Sequence, residues 1–422
     1  MAYEFIKSVL FEYSTVKFVN IKSKTVGILN RFIQLVILGY VIGYAIVYNK
    51  GYQSFGGLES SVTTKLKGVA FVNNSDDEFI PYVDPSLYKR IWDIPDIIVP
   101  PSDNGAFFVT TNIEITRQTL STCPEDPSIK DAICNIHNNT CTAGHHFMIG
   151  NGVATGECVP IYNSTKANYT CQIEAWCPVE YDEKPLKDGA ALFPDTENFT
   201  VLIKNSVDFP TFNIKRRNIR DTDKSDYLKS CHYHPKHDPH CPIFVLGDII
   251  KFINQNETDK KVDYEAIAKD GGVVAIIINW DCNFDFNENE CMPTYSFRRL
   301  DDPYVKISPG WNFRYAHYYS DTSRTLYKAY GIKFEILVGG RGGKFNIVPL
   351  LMNVGAGLGL FAVQGVLCDI VILYFMKKRD VYYNEKYMSL DEEEPITPSQ
   401  TERGFSSINK SKTTNNYDRL EE

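Results

Sequence analysis

The apolar run from Ile347 to Met376, closed by Lys377, Lys378 and Arg379, constrains this chain more than any other stretch. It exceeds the roughly 20 residues that a helix needs to cross a ~30 Å hydrocarbon core, and the basic cluster behind it suits one membrane surface. The run is not uniformly apolar: Asn353, Gln364 and Asp369 lie inside it, and Gly355, Gly357 and Gly359 cluster near its start. At about 100° per residue, Asn353 and Gln364 fall within roughly 20° of each other, with Gly357 and Leu360 on the same stripe and Asp369 about 160° away. Such a stripe needs a polar or closely packed neighbour. Either its amides are hydrogen-bonding glue for another helix, or copies of the helix surround a water-filled path. Asp369 is assigned to packing or to a partner.

A second span precedes it. Phe32–Tyr48 reads FIQLVILGYVIGYAIVY, with Gln34 as its only strongly polar member, which is short but sufficient for a helix over 32–50. Gly39 with Gly43, and Tyr40, Tyr44 and Tyr48, give this helix one small face and one aromatic face. Lys7, Lys17, Lys22, Lys24 and Arg31 precede it, so the basic residues at both ends predict two cytoplasmic termini in the plasma membrane. The chain then divides into a cytoplasmic segment 1–31, a span 32–50, an extracellular domain 51–345, a span 346–376 and a cytoplasmic tail 377–422 whose composition predicts disorder. The N-x-S/T sequons at Asn73, Asn138, Asn163, Asn168, Asn198 and Asn256 all fall in the extracellular part, and the match at Asn409 is predicted silent. Ten of the eleven cysteines lie there too, without a zinc-type CxxC pair, which points to disulfides in an oxidising compartment. Cys368, the exception, reads as an apolar packing residue.

Within 51–345, the segments VTTKLKGVAFV, GAFFVTTNIEITR, FTVLI, GVVAIIINWDC and TLYKAYGIKFEILV predict strands between turn-forming clusters. The fold class is therefore a membrane protein with two transmembrane helices flanking a large, disulfide-rich, mainly antiparallel β ectodomain. Six cysteines between Cys123 and Cys177 staple a region with little apolar core, while Cys231 with Cys241 and Cys282 with Cys291 close short loops. A balance of 44 basic against 52 acidic residues argues against nucleic acid as partner. No Walker loop, GxSxG or HExxH is present, so the chain is not expected to be an enzyme.

What stands out is basic residues on predicted strands. Lys65 and Lys67 in T-K-L-K-G alternate, so both amines project from one face, to be compensated by water or by an anion. Asn198-Phe199-Thr200, Asn312-Phe313-Arg314 and Lys328 in TLYKAYGIKFEI have the same flavour. With I-K-N behind N-F-T, G-W-N-F-R-Y-A, K-A-Y-G-I-K-F, ten ectodomain cysteines and two spans, the chain from Glu12 to Tyr387 resembles the P2X receptor family, the trimeric ATP-gated cation channels. Tyr13–Lys17 is similar to the family's T-x-K element and Tyr374 with Lys378 to its Y-x-x-x-K element.

The resemblance implies a homotrimer, each chain with two further identical subunits in the lipid bilayer, opened by extracellular ATP and passing Na⁺, K⁺ and Ca²⁺. Lys65 and Lys67 would face ATP from one subunit, with Thr200 near the adenine, Leu202 on the base or sugar and Lys204 as a weaker member. Asn312, Arg314 and Lys328 of the adjacent subunit would grip the phosphates, a nearly tetra-anionic group that needs several cations including a forked donor. The family pairing would give Cys123–Cys177, Cys134–Cys158, Cys141–Cys171, Cys231–Cys241 and Cys282–Cys291. Met352, Asn353, Ala356 and Gly359 would map onto the gate, which favours the pore use of the Asn353 stripe. The other two-span classes are a proton-gated or epithelial-sodium type trimer, which leaves Lys65, Arg314 and Lys328 unexplained, and a scavenger or adhesion receptor, which needs no polar stripe.

One loop stands apart. C-H-Y-H-P-K-H-D-P-H-C places His232, His234, His237 and His240 between two cysteines, where imidazoles sharing a face of an extended segment could take a modulatory Zn²⁺ or Cu²⁺. His137, His145 and His146 form a second cluster, and Asp281, Asp285, Glu288 and Glu290 an acidic run suited to Ca²⁺ or Mg²⁺. Each of the three could equally be a solvated loop.

Overall fold

The computed structural model describes residues 24–376, apart from 82, 101–102, 138–139, 162–168, 181, 220–225, 257–261, 306–307 and 309, and then 379–386. The Tyr13–Lys17 element, Lys378, the tail from 387 and the sequons at Asn138, Asn163 and Asn168 lie outside the described residues. Two compact units result, one built from the chain up to Gln53 and from Asn346 onward, the other from Ser54–Phe345.

The first unit holds two helices long and apolar enough to cross a membrane, Lys24–Tyr48 and Ile347–Phe375. The earlier helix begins at Lys24 rather than at Phe32, because Val26, Ile28 and Leu29 continue the apolar pattern without a breaker and Arg31 donates to Gln34 one turn on, at 2.7 Å. Its second half, Gly39–Tyr48, is π-helical and stacks Tyr40 on Tyr44 and Tyr44 on Tyr48, with ring centroids 5.5 and 5.6 Å apart. The later helix is capped by Asn346, whose Oδ1 accepts from the Val348 amide at 2.9 Å, and carries Pro349 in the first turn, where the missing N–H has no helical partner to lose.

The polar stripe of the second helix has an occupant within the same chain. Asn353 Nδ2 donates to the Gly51 carbonyl at 2.8 Å, Gly357 lies where a Cβ would meet Val41 at 2.9 Å, and Gln364 donates to Asn30. Cys368 Sγ approaches the same Asn30 oxygen at 3.7 Å. The stripe expected on the pore therefore packs on the first helix, since an amide in hydrocarbon is stabilised by a carbonyl or amide partner close at hand. Met352, Ala356 and Gly359 lie on a different, exposed face.

The second unit contains nearly all of the fifteen described strands. In chain order they are β1 (Gln53–Gly56), β2 (Glu59–Lys67), β3 (Val69–Phe71), β4 (Ile91–Asp93), β5 (Ala106–Pro124), β6 (Ile133–Cys134), β7 (Gly152–Pro160) and β8 (Tyr169–Cys177). There follow β9 (Thr200–Phe209), β10 (Ile214–Arg217), β11 (Ile243–Val245), β12 (Gly272–Asn283), β13 (Thr294–Arg299), β14 (Asn312–Ser320) and β15 (Ser323–Phe345). The large sheet runs β13-β12-β15-β5-β8-β6, with β1 and β14 also on β15 and β7 on β8; a smaller sheet runs β10-β9-β11 with β2 on β9. Only β12 and β15 pair in parallel among the registers described, from Gly272 opposite Ile332 to Asn283 opposite Gly343. The strand predicted at TLYKAYGIKFEILV is longer than expected, because its pairing with β12 continues through G-G-R-G-G, where Gly340 at φ +132° lets the backbone lie against the Trp280 peptide.

Between the sheets lies one core that includes Trp92, Phe107, Phe199, Phe209, Phe244, Trp280 and Phe334, all under 4% exposed, each burial worth roughly 2–3 kcal/mol. Trp280 brings a polar atom inside and satisfies it by donating to Asn205 Oδ1 at 2.7 Å. The helix Leu246–Asn256, absent from the strand-based expectation, buries Leu246, Ile249, Ile250 and Ile253 at helical spacing. A separate small core, with Ile129, Phe147, Ala154 and Ile173, sits among the stapled segments. The bridges formed are Cys123–Cys177, Cys134–Cys158, Cys141–Cys171, Cys231–Cys241 and Cys282–Cys291.

Candidate functional site

Two clusters of basic residues emerge, one on each sheet. On the smaller sheet, β2 and β9 pair so that Lys67 stands opposite Thr200, Lys65 opposite Leu202 and Thr63 opposite Lys204. The alternation buries Val201, Ile203 and Asn205 and leaves Thr200, Leu202 and Lys204 on the open face, beside the exposed Lys65 and Lys67. None of these three lysines has a carboxylate partner among the described residues, so the face is a patch of uncompensated positive charge. The end of β2 is fixed by Gly68, where a Cβ would fall 2.3 Å from the Phe199 ring; only a glycine allows K-L-K-G to close onto N-F-T. On the other side of β9, Ile243 faces Leu202 and Val245 faces Thr200, adding an apolar shelf to the same face.

On the larger sheet, three adjacent strands place Glu114 of β5, Lys328 of β15 and Arg314 of β14 directly opposite one another in one row. Asn312 occupies the next row of that face, opposite Tyr330. The start of β14 is set by Gly310, whose φ of +77° and contact with the Asp270 carbonyl leave no room for a side chain. Its other face is pinned by Phe313, edge-on to Phe108 at 4.9 Å.

This second cluster is already neutralised. Lys328 is 3% exposed and pairs with Asp182, with Glu180 at 3.6 Å and with Glu114 at 3.7 Å. Arg314 Nε donates to Glu180 at 2.7 Å, and that hydrogen bond raises the guanidinium further above its ordinary value. Glu114 accepts from the Tyr330 hydroxyl at 2.9 Å through one oxygen, while its other oxygen is buried with no hydrogen-bond donor. Burial pushes the Glu114 carboxyl up to about 7, against the pull of Lys328 and the Tyr330 hydrogen bond. Desolvation, with Glu114 beside it, raises the Tyr330 phenol as well.

The predicted residues thus separate into Lys65, Lys67, Thr200, Leu202 and Lys204 on one sheet and Asn312, Arg314 and Lys328 on the other. Glu114, Glu180 and Asp182 were missed, as were Ile243 and Val245. A lone glutamate inside the apolar alternation of A-F-F-V-T-T-N-I-E-I-T was the available signal for Glu114.

The histidine loop is not extended. His234 and Asp238 bridge a tight turn, and His234 Nδ1 accepts the amides of Lys236 and His237, both at 3.2 Å. His234 and His237 lie with ring centroids 4.5 Å apart and planes tilted by 41°, and His240 Nδ1 is buried without a donor. Among the described residues no three imidazoles of this loop converge within metal-ligand reach. In the acidic run, Asp281 lies 3.9 Å from Arg341 and Asp285 accepts from the Phe345 amide at 2.5 Å. Asn73 and Asn198 are exposed, as a glycan acceptor must be.

The model of the family described as ATP P2X receptor matches residues 11–389. Mouse P2X purinoceptor 4 is 45% identical over 394 residues, covering 92% of this chain and 95% of that protein. Human P2X purinoceptor 5 is 41% identical over 385 residues, 90% of this chain and 81% of that protein. An invertebrate P2X receptor from the Gulf Coast tick, crystallised in the presence of ATP and Zn²⁺, is similar with a TM-score of 0.76 and 52% identity over 82% of this chain and 100% of that chain. The chicken ATP-gated P2X7 receptor channel, crystallised with the competitive antagonist TNP-ATP, gives 0.69 and 37% over 83% and 100%. Sequence, fold and relatives agree along nearly the whole length, and the chain belongs to the P2X receptor family.

Proposed function

We propose that the chain works as a trimeric cation channel of the plasma membrane, opened when extracellular ATP binds between subunits. The observation that carries the binding mode is the division of the basic residues. Three lysines without counter-ions on the β2–β9 face, and the Arg314–Lys328 row on the other sheet, are each too few for a triphosphate but together suffice. Thr200 and Leu202 of one subunit receive the base, with Ile243 and Val245 as the rest of its apolar shelf. Lys65, Lys67 and, less directly, Lys204 face the phosphates, and Asn312, Arg314 and Lys328 of the neighbour close on them. A site shared in this way couples ligand binding to relative subunit movement, and ATP acts by binding the open arrangement more tightly, without hydrolysis.

The gate is assigned to the exposed face of Met352, Ala356 and Gly359, an apolar constriction that excludes ions by dewetting, while Asn353 ties the second helix to the segment just after the first. Na⁺, K⁺ and Ca²⁺ are the permeant ions, and both termini are cytoplasmic. Modulation by Zn²⁺ or Mg²⁺ is part of the same proposal, with the loop that carries His232, His234, His237 and His240 as the candidate for Zn²⁺, although no three of these imidazoles converge in the arrangement described. Added Zn²⁺ that shifts the ATP response equally in the parent and in His232→Ala/His237→Ala would remove that part.

Whole-cell current under rapid ATP application tests the whole. A current in the parent that is lost, or moved to much higher ATP, in surface-expressed Lys67→Ala supports the proposal; silence from a surface-expressed parent defeats it.

A further inference from the structure

The basic half-site on β14 and β15 contains a carboxylate that its task does not require. If Arg314 and Lys328 grip phosphate, Glu114, Glu180 and Asp182 all oppose the ligand: two cations face three carboxylates before any ATP arrives. The three acids differ in what they can do about it. Glu180 and Asp182 sit on the segment after β8; Asp182, 74% exposed on its side chain, can turn toward water, while Glu180, at 13%, has the Arg314 guanidinium as its donor. Glu114 cannot turn toward water, because it projects from the middle of β5, directly opposite Lys328, with 5% of its surface exposed.

The groups facing Glu114 are few. They are Lys328 and Tyr330 of β15, Arg314 of β14, Glu180 and Asp182 after β8, and Tyr88, whose hydroxyl accepts the neighbouring Ile115 amide at 2.9 Å. A cavity of about 220 Å³ beside it also brings Asp84, Arg117 and Glu183 to its surroundings. Only Lys328 neutralises Glu114 closely, and ATP would recruit that same ammonium. The remaining way to remove the buried charge is a proton, and Oε2, buried without a donor, is the place for it.

We propose that Glu114 is the positioning residue of Lys328 and takes up a proton when ATP binds, so that ATP opens the channel at lower concentration as the medium is acidified. The inference rests on Lys328 and Arg314 being the phosphate-binding residues. With no ligand, the ionised Glu114 holds Lys328 in its row. With ATP in place, the added negative charge favours the neutral acid, and reciprocity requires that acid favour ATP in turn. The window is near neutrality, in accord with a Glu114 carboxyl raised to about 7.

The test is the ATP concentration–response of the full chain at pH 8, 7 and 6, at fixed divalent cation, in the parent and in Glu114→Gln. The terminal phosphate of ATP also titrates in this range, identically for both channels, so the readout is the ratio of their half-maximal concentrations. From pH 8 to pH 6 the parent should gain sensitivity relative to Glu114→Gln by about three- to tenfold, a purely structural role leaving the ratio flat. A flat ratio, or one of opposite sign, overturns the inference while leaving ATP gating intact. A surface-expressed parent that ATP does not open defeats the gating proposal and this one with it. Should Glu114→Gln fail to reach the surface, Tyr330→Phe serves. It removes a hydrogen bond that favours the ionised acid, so the pH midpoint of the parent's ATP sensitivity should move upward, and an unmoved midpoint overturns the inference.

Discussion

The two basic clusters of the ectodomain carry the same charge in opposite surroundings. Lys65 and Lys67 on β2 are exposed and without counter-ions, whereas Lys328 is buried among Glu114, Glu180 and Asp182. The difference teaches that only one of them is a ready anion site. The open lysines hold their charge at little cost in water, so the fold does not depend on them. The enclosed lysine is part of the fold, and removing it leaves carboxylates buried without compensation.

The sharpest way to break this comparison is Lys328→Ala. Loss of one member of a buried charge cluster costs about 3–5 kcal/mol, so ATP current should vanish and surface expression or melting temperature of the purified channel should fall with it. Normal melting would show that Lys328 is not structurally engaged. Next comes Glu114. Its carboxyl is raised by burial from an ordinary 4.5 to about 7, so its contribution to stability is full below about 4.5 and lost above about 7. Between pH 5 and pH 8 the parent should lose on the order of 2–3 kcal/mol relative to Glu114→Gln, read as a pH-dependent gap in melting temperature. A constant gap would place the charge elsewhere.

Lys65→Ala and Lys67→Ala probe the other side. Each should raise the half-maximal ATP concentration by about ten- to a hundredfold, the worth of one charge-assisted contact, with melting and surface expression unchanged. Destabilisation there would erase the contrast. The smallest effect belongs to the apolar shelf: Ile243→Ala should weaken ATP by a few-fold, consistent with about 1 kcal/mol of lost contact, without altering the pH dependence.

Much of the β2–β9 face was legible in the sequence because alternation alone puts Lys65 with Lys67, and Thr200 with Leu202, on one side of a strand. What alternation cannot give is the partner strand. Ile243 and Val245 lie some forty residues from Leu202 in sequence, and only the register of β11 on β9 brings them there. Glu114 was hidden for the same reason, since its meaning comes from Lys328 across more than two hundred residues. The two membrane helices were plain from hydropathy, but the choice between pore and glue for Asn353 depended on whether a carbonyl stood within reach, and Gly51 supplies one. The helix Leu246–Asn256 was readable from its spacing of Leu246, Ile249, Ile250 and Ile253.

The length of β15 has a mechanical consequence. From Lys328 one uninterrupted strand runs to Phe345, and two residues later the second membrane helix begins at Ile347. Its twelve paired positions beside β12 mean that the strand cannot creep: keeping the same side chains on the inner face requires a jump of two residues, roughly 7 Å, with every rung broken at once. The G-G-R-G-G stretch, poorest in side chains, is held in the same way, from Gly339 opposite Asn279 to Gly343 opposite Asn283, so the strand keeps its register to within two residues of its end.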